Sequence, residues 1–168
     1  MSTAGEVPVS APAVDHLTLT VTDLDASQRF YCALLDLVRL ADLGLVRVLV
    51  HPPTGFTLSL VRHEGGGGRF DETRPGLDHL GLAAASREEL GARERRLAAM
   101  GAVYTPVRDT PLAAHLNLRD PDGIALEFVA AGPLLAAGYA ELRDTTLSPE
   151  GIEARARELM VLAGALPS

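Results

Sequence analysis

An internal repeat limits the folds open to this chain more than any other feature of its sequence. Residues 15–19 read DHLTL and residues 78–82 read DHLGL. Residues 53–61 read PTGFTLSLV and residues 121–129 read PDGIALEFV, so a Pro-x-Gly turn and an apolar run also recur in the same order. The two markers lie a few residues further apart in the second copy. A repeat of this kind predicts two modules of the same fold.

Each module is predicted to contain one helix between strands, in the order β-α-β-β-β, which makes the fold class α+β. Asp23 is the expected N-cap of the first helix, and Ser86 is that of the second, which Gly101 ends. Short runs rich in leucine and β-branched residues follow each helix. These runs predict strands at 37–43, 45–51 and 56–63, then at 103–107, 112–119 and 123–131.

The chain accordingly divides into five predicted segments. They are a disordered arm at 1–12, a first module at 13–64, a Gly-rich linker at 65–76, a second module at 77–131 and a helical C-terminal extension at 132–168. Within the extension, Ser148 and Pro149 are expected to open a last helix that continues to Ala163. Its apolar stripe at Ile152, Leu159, Val161 and Leu162, with Met160 beside it, predicts packing, in a homodimer interface or back on its own module.

Composition narrows the classes of function. The formal net charge of −7 makes nucleic acid an unfavourable partner, and no apolar run is long enough to predict a membrane span. Cys32 is the single cysteine, so an intrachain disulfide is impossible and a cytoplasmic location is expected. The chain has no lysine, which excludes Schiff-base chemistry on a lysine amine.

Strand alternation predicts one helix-packed face and one open face on each sheet. The open face would carry small or polar residues: His16 and Thr18 on the first strand, Thr57 and Ser59 on the fourth, His79 on the fifth and Glu127 on the eighth. Two imidazoles and one carboxylate suit a divalent metal ion with positions open to substrate; Zn, Fe(II), Mn, Ni and Co are all admissible. The alternative is that these residues are solvated side chains at strand ends.

Three motifs, HLTLTVTDLDASQRFY, LDHLGLAAAS and RDPDGIALEFV, resemble the vicinal oxygen chelate superfamily, which includes glyoxalase I and the bleomycin resistance, fosfomycin resistance and extradiol dioxygenase proteins. The resemblance covers roughly residues 13–131. It implies that two βαβββ modules form a cup-shaped mixed sheet. It also implies that the positions of His16, His79 and Glu127 are metal ligands, as in the metal-dependent members.

Departures from the subfamily patterns bear on the reaction. Glyoxalase I usually has a glutamate where Ser59 stands, so glutathione-linked isomerisation is not expected. Extradiol dioxygenases usually have a tyrosine where Asn117 stands, and His115 does not fall on their catalytic histidine. Fosfomycin-modifying members resemble the first strand, including a threonine at the position of Thr18. Bleomycin-binding members lack the metal triad.

Four further residues are candidates for the site. His115 and Asn117 alternate with leucines and are expected on the open face, where His115 could act as a general base because a neutral imidazole accepts protons near pH 7. Thr18, the other candidate for a catalytic role, could hydrogen-bond a metal-bound oxygen, and Arg47 could clamp a substrate carboxylate. For each of them the alternative is an ordinary solvated strand residue.

The sequence therefore predicts a metal-dependent enzyme, a lyase, isomerase or oxygenase, that acts on a small oxygen-rich substrate through bidentate chelation. The predicted pocket is formed by Ser59, Thr57, Asn117 and Arg47. The alternative from another class is a non-catalytic protein that binds a small molecule or an antibiotic. A homodimer is expected in either case.

Overall fold

The computed structural model of the protein describes residues 14–143, 148–164 and 166. The predicted disordered arm at 1–12 lies outside the described residues. The chain forms two compact units, the first ending at Gly66 and the second beginning at Gly67, so the boundary falls within the run of four glycines. Each unit contains at least one helix and its own mixed sheet, which confirms the α+β class.

From residue 14 onward, the first unit has one helix and four strands: β1 His16–Thr20, α1 Leu24–Leu35, β2 Val38–Asp42, β3 Val46–Val50 and β4 Thr57–Val61. The sheet order is β1-β4-β3-β2, in which β1 runs parallel to β4 and the other pairs are antiparallel. Asp23 caps α1 as predicted, because its carboxylate accepts hydrogen bonds from the backbone N–H groups of Asp25 and Ala26 at 2.8 and 3.0 Å.

The second unit repeats this order and adds elements to it. Its elements are β5 Leu80–Ala84, α2 Arg87–Met100, β6 Val103–Tyr104, β7 Arg108–Asp109, β8 Ala113–Arg119, β9 Ala125–Ala131, α3 Pro133–Arg143 and α4 Pro149–Leu162. The main sheet order is β5-β9-β8-β6, and β7 pairs with β8. Ser86 caps α2 and Gly101, at φ 65°, ends it, both as predicted. The short strand β7 and the helix α3 were not predicted individually.

Helices α1 and α2 each cover one face of the sheet in their own unit. In the first unit α1 packs on β3 and β4, and in the second unit α2 packs on β5, β8 and β9. The residues that fill these two layers are fully buried: Tyr31, Leu34, Leu49, Leu58 and Leu60, then Leu90, Leu97, Leu116, Leu126 and Phe128. Burial of a leucine or phenylalanine side chain contributes about 1.5–3 kcal/mol, so these layers fix which sheet face remains open.

The C-terminal helices form a small layer of their own. Helix α3 packs on β9, and α4 packs on α3. Leu159 of α4 is buried directly against Gly138 of α3, where an added Cβ would lie 2.5 Å from Leu159 Cδ1. Arg155 also makes two hydrogen bonds to the Glu141 carboxylate, at 2.7 and 2.8 Å. The last helix therefore packs within its own unit through Leu159, whereas Ile152, Met160 and Leu162 stay exposed.

Among the residues described here, none of the helices has the length and apolar character that crossing a lipid bilayer would require.

Candidate metal centre

In the first unit, four predicted site residues lie side by side on two paired strands. His16 pairs with Thr57, and Thr18 pairs with Ser59, in the parallel ladder between β1 and β4. Leu58 and Leu60 alternate with them and are buried under α1. His16, Thr18, Thr57 and Ser59 therefore share the face that the helix leaves uncovered, as predicted from strand alternation.

The two histidines of the repeat have the same local environment. His16 Nδ1 lies 2.8 Å from the Asp15 carboxylate, and His79 Nδ1 lies 2.6 Å from the Asp78 carboxylate. A carboxylate beside Nδ1 favours the imidazole tautomer that is protonated at Nδ1. The lone pair of Nε2 is then available to bind another partner. Sequence reasoning did not assign Asp15 and Asp78 to the site, although both precede a histidine at equivalent positions of the repeat, which is a signal that could have done so.

Glu127 is the carboxylate of the second unit that faces His79. It lies on β9 between Gly81 of β5 and Asn117 of β8. Its Oε2 atom lies 3.6 Å from His79 Nε2, and its side chain is 17% exposed, compared with 47% for that of His79. Glycine at position 81 leaves the Glu127 carboxylate uncovered on the side of β5, so the carboxylate and the imidazole can reach a common ligand.

His115 holds the other oxygen of the same carboxylate. Its Nδ1 lies 2.8 Å from Glu127 Oε1, and its side chain is 27% exposed. Its Nε2 lies 3.4 Å from the Thr110 hydroxyl. When the Nδ1–H group of His115 donates its hydrogen bond to Glu127, the Nε2 atom keeps a lone pair. His115 can therefore both orient Glu127 and accept a proton at Nε2.

A tight turn at residues 120–124 positions Glu127 at the site. The carboxylate of Asp120, which is 5% exposed, accepts hydrogen bonds from the backbone N–H groups of Asp122 and Ile124 at 2.9 and 2.7 Å. Gly123 follows with a φ angle of 85°, a backbone conformation that residues with a Cβ atom rarely adopt. The turn thus sets the start of β9, and with it the face on which Glu127 lies.

Arg47 lies away from the pocket in which the sequence placed it. In the antiparallel ladder of β3 and β4, Val48 pairs with Ser59 and Leu49 with Leu58, so Arg47 is on the helix-covered face with Leu49. Its guanidinium lies 2.6 Å from Asp25 at the start of α1 and 3.3 Å from Asp42. These ion pairs raise the pKa of Arg47, chiefly through the hydrogen bond to Asp25. We therefore leave Arg47 out of the site.

A cavity of about 430 Å³ in the second unit adjoins His79. Its polar lining includes Glu72, Asp78, Asn117 and Arg119. Asn117 therefore lines this cavity, and in the sheet it pairs with Glu127. Glu72 comes from the segment predicted as a flexible linker, and the sequence did not single out either Glu72 or Arg119.

The donor atoms of the second unit fit part of a transition-metal site. His79 and Glu127 offer one imidazole nitrogen and one carboxylate oxygen, which such ions accept, and each is held by a second residue. His16, the third predicted ligand, belongs to the first unit. In the part of the chain that the structure describes, no group of three or more His, Cys, Asp or Glu side chains is gathered closely enough to hold a metal ion.

The family to which the chain belongs is shown by its sequence. Residues 13–128 match the model of the Glyoxalase/Bleomycin resistance protein/Dioxygenase superfamily. The match spans both units and includes His16, His79, His115 and Glu127. The chain is therefore a member of this superfamily, which confirms the resemblance that its motifs indicated.

The chain is also similar to several individual proteins. An uncharacterised protein of Pseudomonas aeruginosa is 30% identical over 129 residues, which cover 74% of this chain and 92% of that protein. A glyoxylase/bleomycin resistance protein/dioxygenase domain from Frankia is 41% identical, with a TM-score of 0.68, covering 74% of this chain and 95% of that chain. The fosfomycin resistance protein FosX of Listeria monocytogenes, solved with Mn(II) and sulfate, shares the fold at 16% identity and a TM-score of 0.61, covering 79% and 100% of the two chains.

Proposed function

We propose that this protein is a metal-dependent enzyme of the vicinal oxygen chelate type, a lyase, isomerase or oxygenase that acts on a small oxygen-rich substrate. One divalent ion (Zn, Fe(II), Mn, Ni or Co) would be held by His79 and Glu127 of the second unit and by His16 of a first unit. The observation that carries this proposal is the orientation of His79 Nε2 and Glu127 Oε2, 3.6 Å apart on one open sheet face. The Mn(II) found with FosX, which has the same fold, supports it.

The roles of the surrounding residues follow from their contacts. A bound divalent ion would act as a Lewis acid that polarises oxygen atoms of the substrate. Asp78 orients His79, and His115 orients Glu127. His115 is the proposed general base, because its Nε2 is the nitrogen not bound to Glu127. Asn117 and, in the first unit, Thr18, Thr57 and Ser59 are proposed to contact the substrate.

Metal content tests this proposal. Protein purified without chelators and dialysed against Mn(II) should hold about one equivalent, and His79→Ala should lose it, since a metal site depends on each of its ligands. His63→Ala is a matched control, because His63 is an exposed histidine outside the site. If the wild type and His79→Ala bind the same amount of metal, the assignment is wrong. A wild type that binds no metal would favour the alternative, a non-catalytic small-molecule or antibiotic-binding protein.

We also propose that the protein is cytoplasmic and acts as a homodimer. The single cysteine fits a reducing compartment. Strand β1 lies at the edge of one sheet and β5 at the edge of the other, and exposed edges favour association with a further strand. Light scattering at several protein concentrations tests the assembly, and a constant monomer mass would contradict it.

A further inference from the structure

Arg119 lies beside the proposed metal ligands on the open face of the second sheet. In the ladder of β8 and β9, Arg119 pairs with Ala125 and Asn117 pairs with Glu127. His79 immediately precedes β5, whose first residue, Leu80, pairs with Leu126. One row across the sheet therefore runs from His79 over Ala125 to Arg119. Because neighbouring strands are about 4.8 Å apart, the ends of this row are separated by about 10 Å.

The space along this row is open. Ala125 places only a methyl group between His79 and Arg119, and all three residues line the cavity of about 430 Å³. A small molecule that lies over Ala125 could therefore contact His79 at one end of the row and the Arg119 guanidinium at the other. Glu127 lies on the same face of β9, two residues after Ala125.

The guanidinium of Arg119 is already bound to a carboxylate, that of Glu72. Arg119 Nη1 donates to Glu72 Oε2 at 3.1 Å, and Arg119 Nη2 donates to Glu72 Oε1, so the pair is bidentate. Glu72 lies in residues 67–77, the connector that precedes β5 in the second unit, and it is 47 residues away from Arg119 in the chain. The side chains of both residues remain more than one third exposed, so solvent and solutes can reach the pair.

The electrostatics reflect this ion pair. The hydrogen bond from Arg119 lowers the pKa of Glu72, and the Glu72 carboxylate raises the pKa of Arg119, to which Asp78 makes a smaller contribution. Arginine forms its strongest contacts with planar carboxylates of this geometry.

We propose that Arg119 recognises a carboxylate of the substrate and that Glu72 occupies its place until the substrate displaces it. The inference rests on the proposed function and specifies the substrate class: a small molecule with vicinal oxygens at one end and a carboxylate at the other. Arg119 is then a specificity-determining residue, and Glu72 is an internal competitor that lowers affinity for carboxylates.

Two probe ligands separate this inference from simple metal chelation. L-Malate and L-2-hydroxybutyrate both present an α-hydroxy acid to a metal, and only malate carries a second carboxylate at the far end. Calorimetric titration of the Mn(II)-loaded protein should show malate binding about tenfold more tightly, the size expected for one charge-assisted contact. Arg119→Met should remove this preference, and Glu72→Gln should increase it.

The controls make each outcome decisive. Asp71→Asn disturbs the connector, because Asp71 holds Thr73 and Arg74, but it leaves the contact between Glu72 and Arg119 in place. It should leave the preference for malate unchanged; an increase equal to that of Glu72→Gln would overturn the competitor role. Equal binding of the two ligands by Mn(II)-loaded wild type and Glu72→Gln would overturn the inference while the metal proposal stands. Absence of Mn(II) from the wild type would overturn the proposed function itself.

Discussion

Replacement of His115 by alanine removes the hydrogen bond that holds Glu127. The bond joins His115 Nδ1 to Glu127 Oε1 at 2.8 Å and connects neighbouring strands β8 and β9. A hydrogen bond to a charged group contributes about 1.5–3 kcal/mol. Because the two side chains are 27% and 17% exposed, water can replace part of this contact. We therefore expect the free energy of unfolding of His115→Ala, measured without metal, to fall by about 1–2 kcal/mol.

The same change should weaken metal binding, because Glu127 would no longer be held in one orientation. Residues that orient a ligand typically contribute about 10- to 100-fold to metal affinity. Urea unfolding followed by circular dichroism measures the first effect, and Mn(II) titration measures the second. His63→Ala, an exposed histidine of the first unit, serves as the control for loss of an imidazole. If His115→Ala matches the wild type in both measurements, the contact with Glu127 is not formed in solution and the reasoning is refuted.

Three further outcomes are expected. The wild type should not turn over the hemithioacetal of methylglyoxal and glutathione, because Ser59 stands where glyoxalase I usually has a glutamate; robust turnover in a spectrophotometric assay would contradict this. The fold lowers the pKa of Glu72. At pH values above the ordinary glutamate pKa, the ionised carboxylate therefore stabilises the folded protein, and this stabilisation is lost as the pH falls through the lowered pKa. The difference in unfolding free energy between wild type and Glu72→Gln should therefore shrink in acid, and a difference independent of pH would argue against the pair with Arg119. Leu159→Ala should cost about 2–4 kcal/mol because the side chain is buried on α3, whereas the exposed Leu162→Ala should stay within about 0.5 kcal/mol; equal effects would show that α4 is not docked as described.

The modular fold could be predicted because its signals are local. The repeated Asp-His and Pro-x-Gly segments indicated two related modules, and leucines at every second position marked the helix-covered faces. The N-caps Asp23 and Ser86 bind backbone groups within three residues, so the sequence alone was enough to find them. The helix α3 was not predicted as a separate element. It is stabilised by packing on β9, and this tertiary contact cannot be inferred from the sequence of the helix itself.

Strand pairing decided the contacts within the site. His115 was predicted on the open face, but its bond to Glu127 depends on the register that places Val129 opposite His115 and Asn117 opposite Glu127. Arg47 shows the same limit. Strand β3 is apolar on both faces, so alternation alone could not say which face is open, and the pairing of Val48 with Ser59 settled it.

The sequence by itself determined the two modules, their helix caps and the faces that carry His16, His79 and Glu127, because side-chain alternation and capping are properties of a few consecutive residues. Only the tertiary structure decided which side chains meet: His115 with Glu127, 12 residues apart, and Arg119 with Glu72, 47 residues apart. These contacts depend on strand order, register and the docking of the connector. Strand order and register are set by burial of the whole core, and the position of the connector depends on its contacts with the sheet, so neither follows from local pattern.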